Sequence, residues 1–138
     1  MNLADDMDPT LGLMVVAARR AATHAYAPYS RFRVGAALQL ANGTVVTGAN
    51  VENSSYGLTI CAERSALVRA IAEFGPDIRI TAVAVANLND SAGPPCGACR
   101  QMLSEFIEPD APVAFPESDG ICVMPFSEVF PLVFQLKH

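Results

Sequence analysis

Two cysteine-bearing helix starts constrain the fold of this chain more than any other feature. Cys61-Ala62-Glu63 opens one predicted helix, and Pro95-Cys96-Gly97-Ala98-Cys99 opens another. Between them the sequence predicts only one helix, one buried strand and one loop, so both helix starts can reach the same edge of a sheet. Three thiols can then converge on one point, and this restricts the chain to folds that bring two helix N-termini together.

Hydrophobic periodicity and turn residues predict the other elements. Thr10 can cap the first helix, and Asn42-Gly43 is a strong hairpin signal between two β-prone runs. In order, the elements are a helix over 11–26, strands over 34–40 and 44–49, a helix over 61–74, a strand over 78–86, a loop over 87–95, a helix over 97–106, strands over 112–115 and 121–124, and a short helix from about 127. This order predicts a mixed sheet covered by helices.

Composition narrows the class of protein. The 138 residues, 51% hydrophobic and 17% charged, predict a single domain over 1–138, with about 1–9 forming a loose acidic tail. A net charge of −5 argues against binding polymeric nucleic acid and favours a small neutral ligand. The apolar run Leu11–Ala18 is too short to span a membrane and follows acidic residues, the wrong polarity for a signal peptide. We therefore predict a cytoplasmic protein with no membrane partner.

The four cysteines of such a protein would sit in a reducing compartment, so metal binding is a better interpretation than disulfides. Thiolates at helix N-termini gain from the helix dipole, which lowers their pKa and favours Zn²⁺. Three ligands, Cys61, Cys96 and Cys99, leave one tetrahedral position open for a water molecule, as in catalytic zinc sites. Glu63 lies close enough to act as the proton shuttle for that water without being a ligand.

This spacing matches the known signature of zinc nucleobase deaminases, in which His or Cys, x and Glu are followed by Pro-Cys-x-x-Cys. The roles of the three cysteines as zinc ligands and of Glu63 as proton shuttle are thus those of a known signature. The chain also resembles the cytidine deaminase family over nearly its whole length, specifically the small homotetrameric branch with three cysteine ligands. The resemblance extends to three further segments: Ala27–Phe32 with Val34–Ala37, Asn50–Tyr56, and Pro131 with Phe134.

The resemblance implies an α/β fold, a three-layer α/β/α sandwich with a five-stranded mixed sheet. It implies hydrolytic deamination of cytidine and 2′-deoxycytidine to uridine and 2′-deoxyuridine with release of ammonia, in pyrimidine salvage. One Zn²⁺ per chain is implied, in a homotetramer with shared active sites. Site residues carried over by position are Glu63 as the catalytic group; Phe32, Asn50, Glu52, Tyr56, Ala62 and Phe134 as substrate contacts; and Arg64 as a charge-balancing donor to the ligand sulfurs. Tyr56 would reach a neighbouring subunit's site.

Other interpretations of the same residues remain open at this stage. Cys122 could complete a closed structural zinc site, or the Cys-x-x-Cys pair could serve a thioredoxin-like redox role. Asn50 and Glu52 could be a polar loop, and the two phenylalanines could be core or interface residues. Arg64 could lie on the surface, with Arg100 as a second candidate to balance the charge of the thiolates.

Overall fold

The computed structural model describes residues 7–136. Its helices are α1 (Pro9–Ala22), α2 (Ala62–Phe74), α3 (Gly97–Ser104) and α4 (Phe126–Val129), and its strands are β1 (Val34–Leu40), β2 (Val45–Ala49), β3 (Ile80–Asn87), β4 (Pro112–Glu117) and β5 (Gly120–Pro125). The strands form one sheet in the order β2-β1-β3-β4-β5. Strands β3 and β4 are parallel, and the other neighbouring pairs are antiparallel. The predicted five-stranded mixed sheet is confirmed.

Helices cover both faces of the sheet. Helix α1 packs on one face through small side chains such as Ala18, which lies in one buried apolar cluster with Ala37 and Ala84 of the sheet. Helices α2, α3 and α4 pack on the other face around larger side chains that include Leu67 and Leu103. Within the described part of the chain, no helix is both long enough and apolar enough to cross a bilayer.

The start of α1 differs from the prediction. Asp8, not Thr10, caps the helix: its Oδ1 accepts a hydrogen bond of 2.7 Å from the Thr10 N–H. Pro9 occupies the first helical position, where its missing N–H is not needed. Met7 packs against the apolar cluster under α1. The predicted loose tail is therefore wrong for its last three residues, and residues 1–6 lie outside the described part of the chain.

Tyr26, predicted as the last residue of the first helix, lies outside it. Its N–H donates to the Asn50 carbonyl at 3.0 Å, and its carbonyl accepts from the Glu52 N–H at 2.8 Å. On the other side of this segment, Val51 and Ile60 exchange backbone hydrogen bonds of 2.9 and 2.8 Å. The segment that carries Asn50 and Glu52 is thus held between the backbone at Tyr26 and the backbone at Ile60. The second of these leads directly into α2.

The start of β1 and the ends of β2, β3 and β4 lie side by side along one edge of the sheet, the edge formed by strand termini. Val34 pairs with Asn87, and Gly35 pairs with Ala49, which places these strand ends side by side. The first residues of α2 and the residue preceding α3 line a cavity at the same edge. Open α/β sheets commonly bind ligands beyond the carboxyl ends of their parallel strands.

Two glycines allow the helices to approach the sheet closely. A Cβ atom on Gly35 would lie 1.8 Å from the Ala18 carbonyl oxygen of α1. On the other face, a Cβ atom on Gly48 would lie 2.4 Å from the Ala66 backbone nitrogen of α2. Backbone atoms cannot move aside as a flexible side chain would, so each glycine sets the position of one helix.

We expect Gly48→Ala to destabilise the protein by about 1–3 kcal/mol, because the added methyl group forces α2 away from β2. Gly12→Ala in α1 is the matched control. A Cβ atom there meets only the Met7 Cε, at an ordinary distance of 3.7 Å, and the higher helix propensity of alanine should stabilise by about 0.5–1 kcal/mol. Urea unfolding measures both changes, and equal effects of the two substitutions would contradict the close-approach argument.

Candidate metal centre and ligand cavity

Three thiols meet where α2 and α3 begin. Cys61 is the N-cap of α2, Cys96 is the N-cap of α3, and neither side chain makes a capping hydrogen bond. Cys99 lies buried in the first turn of α3. The Sγ atoms of Cys61 and Cys96 are 3.6 Å apart, and all three Sγ atoms lie within 4.8 Å of one another. The thiols therefore converge as their helix-start positions predict.

Cys122 does not belong to this cluster. It lies on β5 opposite Phe115 of β4 and is fully buried in the core on the α2 side of the sheet. Among the described residues, only Cys61, Cys96 and Cys99 bring three metal-ligating atoms together. The closed four-thiolate interpretation is therefore wrong, and Cys122 is a small buried hydrophobe.

The donor set fits a tetrahedral Zn²⁺ ion. Each Zn–S bond is about 2.3 Å, so sulfur ligands of one ion lie about 3.8 Å apart. The 3.6 Å separation of Cys61 and Cys96 is close to that value, and the 4.8 Å limit on all three pairs requires only small side-chain adjustments. Three sulfurs occupy three of the four tetrahedral positions, which is the arrangement of a catalytic site rather than a closed structural one.

The pKa values of two of the thiols are shifted in opposite directions. Hydrogen bonding from Cys99, then from Cys96 and Arg64, lowers the pKa of Cys61 to about 5 although burial opposes the shift. Hydrogen bonding to Cys61, with burial, raises the pKa of Cys99 above its ordinary value. Cys61 is therefore the thiolate available at neutral pH, and Cys99 requires a cation to offset its charge.

Arg64 is the arginine that faces the sulfurs. Its Nη2 donates to the Thr59 carbonyl at 3.0 Å and approaches the Cys61 Sγ at 4.0 Å. It follows Cys61 by three residues, so both side chains lie on one face at the start of α2.

Arg100, the second candidate, does not balance the thiolates. Its Nε donates to the Pro95 carbonyl at 2.6 Å and its Nη1 donates to the Val129 carbonyl at 2.9 Å. It follows Cys99 by one residue, and one step along a helix turns the side chain by about 100°. Arg100 therefore ties the start of α3 to the end of α4.

Glu63 lies beside the sulfur cluster and is 4% exposed. Burial raises the pKa of its carboxyl above the usual value, and the charge on Cys61 adds to the shift. Backbone groups of Glu63 itself and of Cys96, with Arg64, oppose it. A buried carboxyl with a raised pKa is suited to exchange protons with a reacting group.

A cavity of about 460 Å³ opens in front of the cluster. It is lined by residues that the sequence predicted as site residues, namely Phe32, Asn50, Glu52, Tyr56, Cys61, Ala62, Glu63 and Cys96. All of the predicted substrate contacts except Phe134 thus surround one space. Tyr56 lies at the cavity of its own chain and is 73% exposed. Phe134 does not line this cavity; it is 65% exposed, and its carbonyl accepts from the Gln101 Nε2 at 3.0 Å.

Asn50 and Glu52 are buried and held by the loop before β1. Asn50 donates through Nδ2 to the Phe32 carbonyl at 2.8 Å and accepts at Oδ1 from the Val34 N–H at 2.9 Å. Glu52 accepts at Oε1 from the backbone N–H groups of Tyr29 and Ser30, and at Oε2 from the Ser30 hydroxyl. The Ser30 hydroxyl is the first cause of the lowered pKa of Glu52, which therefore stays ionised.

Sequence reasoning missed the opposite wall of the cavity. This wall contains Asn87, Ser91, Ala92, Gly93, Pro94 and Pro116. The buried Asn87 side chain organises it: Nδ2 donates to the Ser91 carbonyl at 2.8 Å, and Oδ1 accepts from the N–H groups of Asn89 and Ser91. An asparagine at a strand end before turn-forming residues is a recognisable signal for such a loop.

Comparison with known proteins places this geometry in a family. Residues 10–114 match the family model described as the cytidine and deoxycytidylate deaminase zinc-binding region. Over 123 residues the chain is 45% identical to a cytidine deaminase of Halalkalibacterium halodurans, covering 88% of this chain and 92% of that protein. The chain belongs to the cytidine deaminase family. The sulfur cluster is accordingly the family's zinc-binding region and fits one Zn²⁺ per chain.

Solved structures of cytidine deaminases share the fold. The Mycobacterium tuberculosis enzyme is 37% identical, covers 94% of this chain and 100% of its own, and superposes with a TM-score of 0.79. The Burkholderia pseudomallei enzyme is 40% identical to this chain, and the match covers 93% of this chain and 100% of that enzyme. The two structures superpose with a TM-score of 0.81. The predicted three-cysteine zinc branch of the cytidine deaminase family and its α/β fold are confirmed.

We expect Arg64→Ala to weaken zinc binding by about 10- to 100-fold, because outer partners of metal ligands typically contribute this much. The substitution leaves the Cys61 sulfur without its guanidinium donor. Arg69→Ala is the control, since Arg69 lies exposed on the same helix and donates to the Thr47 carbonyl at 3.1 Å. Competition with a chromophoric chelator measures both affinities. Unchanged zinc affinity in Arg64→Ala would show that the helix N-termini alone balance the thiolates.

Proposed function

We propose that this chain catalyses the hydrolytic deamination of cytidine and 2′-deoxycytidine to uridine and 2′-deoxyuridine, releasing ammonia. The observation that carries the proposal is the buried Glu63 carboxyl beside three converging thiols at the wall of a cavity of about 460 Å³. Such a cavity is within the range of small-molecule sites. Membership of the cytidine deaminase family supports the same reaction.

The charge of the cavity favours a nucleoside over a nucleotide. The family model covers deoxycytidylate as well as cytidine deaminases. Among the described residues that line the cavity, the charged side chains are anionic, the Glu52 carboxylate and the Cys61 thiolate, and none is a lysine or an arginine. A phosphate group requires cationic partners or exposed N–H groups, so a neutral sugar fits this wall better.

Glu63 is the proposed catalytic residue. Zn²⁺ held by Cys61, Cys96 and Cys99 would lower the pKa of a coordinated water and so supply the nucleophile for C4 of cytosine. The Glu63 carboxylate accepts a proton from the attacking water and delivers it to N3 of the ring. It then takes a second proton from the hydroxyl group on C4 and delivers it to the amino group, so that the C4–N bond breaks and ammonia leaves as the C4 carbonyl forms. Ala62, between Cys61 and Glu63, lines the cavity and is a proposed substrate contact.

Asn50 and Glu52 are the proposed sugar contacts. After the hydrogen bonds described above, the Asn50 amide retains one N–H and one lone pair, and the Glu52 Oε2 retains a lone pair. One residue can thus donate to a ribose hydroxyl while the other accepts from it. Phe32, part-exposed on the adjoining wall, offers an aromatic surface for the nucleoside.

The proposed assembly is a homotetramer with shared active sites. Several large apolar side chains are exposed on the segment before α2 and on α2 itself: Val51, Tyr56, Leu58, Ile60 and Val68. The final stretch exposes Leu132, Phe134 and Leu136. Apolar surface of this extent is normally covered by a partner. A neighbouring chain would bring Phe134 to a cavity that it does not line within its own chain, and Tyr56, which lines its own cavity, would reach a neighbouring site as well. A cytoplasmic location and a role in pyrimidine salvage are part of the same proposal.

Removing the chain from Pro131 onward should reduce both the oligomer size and the deaminase activity, because the apolar end would no longer cover a neighbour. A protein lacking only residues 137–138 is the control. Light scattering and ammonia release are measured on the same samples. A fully active monomer in either form would contradict shared sites without affecting the zinc chemistry.

The reaction is tested by ammonia release from four substrates: cytidine, 2′-deoxycytidine, cytosine and cytidine monophosphate. Turnover of both nucleosides is expected, with much weaker turnover of the free base, because sugar contacts orient the reacting ring. Preference for the monophosphate would contradict the nucleoside proposal. Absence of ammonia from all four in the zinc-loaded protein would contradict the reaction itself.

A further inference from the structure

We infer that Ser30 is a positioning residue that sets the preference for hydroxylated sugars, an inference that rests on the proposed function. Ser30 is not one of the three clustered thiols, yet it holds both oxygens of the Glu52 carboxylate. Its backbone N–H donates to Oε1 at 3.1 Å, and its hydroxyl donates to Oε2. The Tyr29 N–H donates to Oε1 at 3.0 Å.

These bonds decide which part of Glu52 is left for a ligand. A carboxylate oxygen has two good acceptor directions. Two N–H groups occupy both directions on Oε1, and the Ser30 hydroxyl occupies one on Oε2. A single acceptor direction remains, and it belongs to Oε2, so a sugar hydroxyl meets one fixed acceptor rather than a freely rotating carboxylate.

The direction of the Ser30 hydroxyl is itself fixed. The Phe32 N–H donates to the Ser30 Oγ at 3.0 Å, so the hydroxyl hydrogen is directed toward Glu52. The Phe32 carbonyl in turn accepts from the Asn50 Nδ2 at 2.8 Å. The backbone of Phe32 therefore links both proposed sugar residues, and Ser30 is the side chain that closes this network on the Glu52 side.

Loss of the hydroxyl leaves Glu52 held only through Oε1, opens Oε2 to water, and leaves the Phe32 N–H without its acceptor. The penalty falls on ligands whose hydroxyl uses Oε2, and ligands without that hydroxyl escape it. A hydrogen bond to a charged group stabilises a complex enough that its loss changes the dissociation constant by about tenfold or more. We expect Ser30→Ala to lower kcat/KM for cytidine about tenfold, mainly through KM.

The test compares cytidine with 2′,3′-dideoxycytidine in the zinc-loaded protein. Ser30→Ala should change kcat/KM for the dideoxy substrate less than about twofold, and Ser30→Thr, which keeps the hydroxyl at an exposed position, should restore cytidine turnover. Ser54→Ala is the control, because Ser54 is exposed and does not line the cavity. Zinc content and thermal unfolding of every variant show whether it folds.

Two further measurements separate positioning from a general structural effect. Calorimetry gives the dissociation constants of uridine and 2′,3′-dideoxyuridine, and only the uridine constant should rise, about tenfold, in Ser30→Ala. In a Glu52→Gln background, Ser30→Ala should add less than about twofold. Equal losses for both sugars, or no rescue by threonine, would overturn the inference while an active parent protein upheld the proposed function. If the unsubstituted protein were inactive on cytidine, both the proposed function and the inference about Ser30 would be wrong.

Discussion

Replacing Glu63 with glutamine should leave zinc in place and reduce deaminase turnover by at least about 10²- to 10⁴-fold. Glutamine keeps the size and the hydrogen-bonding capacity of the side chain but cannot accept a proton. Positioned acid–base catalysis contributes about this much, and more where one group serves several transfers. Glu63 would serve four in the proposed reaction, taking protons from water and from the C4 hydroxyl and delivering them to N3 and to the amino group.

The control for this variant is Glu73→Gln. Glu73 lies on the same helix α2, is exposed, and does not line the cavity. Steady-state ammonia release and zinc analysis on both variants give the comparison. Near-normal turnover in Glu63→Gln with full zinc content would exclude this carboxyl from the mechanism. Loss of zinc together with turnover would instead assign Glu63 a role in building the metal centre.

The metal centre could be predicted because its geometry is local. Cys61 and Cys96 precede helix-forming runs, and Cys99 follows Cys96 within one turn. Short spacing therefore fixes the direction of each thiol relative to its helix. The only long-range requirement is that two helix starts share a sheet edge, and the element order already favours this arrangement.

The hydrogen bonds around the proposed sugar contacts could not be predicted in the same way. Ser30 and Glu52 are 22 residues apart in sequence, and no local pattern shows that they meet. The sequence indicates a turn after Pro28, but not which carboxylate the turn surrounds. The resemblance to a family supplied Asn50 and Glu52 as positions, whereas the hydrogen bonds that leave one acceptor direction free are visible only in the fold.

The first helix shows how tertiary contacts override a periodic pattern. Alanines at helical spacing continue to Ala25, which extends the predicted helix to Tyr26. The backbone of Tyr26 instead pairs with Asn50 and Glu52. These hydrogen bonds replace those of a last helical turn and also anchor the segment that forms one cavity wall, so helix propensity decides little at this position.

Cys96→Ser offers the clearest separation of metal binding from folding. Cys96 is exposed and is the N-cap of α3, a position where serine is strongly preferred. The variant therefore loses a thiolate while its helix start is retained. Structural zinc sites bind with about 10–16 kcal/mol shared among four ligands, so losing one ligand should weaken binding by at least about 10²-fold. Deaminase activity should fall with the bound zinc.

Cys122→Ala is the matched control for this loss. Cys122 is fully buried on β5 and lies outside the sulfur cluster, so its replacement should keep one zinc per chain and full turnover. Removing the buried sulfur leaves a small cavity that should lower the free energy of unfolding by about 1–2 kcal/mol. Metal analysis after dialysis against a chelator, with urea unfolding, measures both effects. Zinc loss in Cys122→Ala but not in Cys96→Ser would reverse the assignment of the ligands, and with it the open coordination position on which the proposed hydrolysis depends.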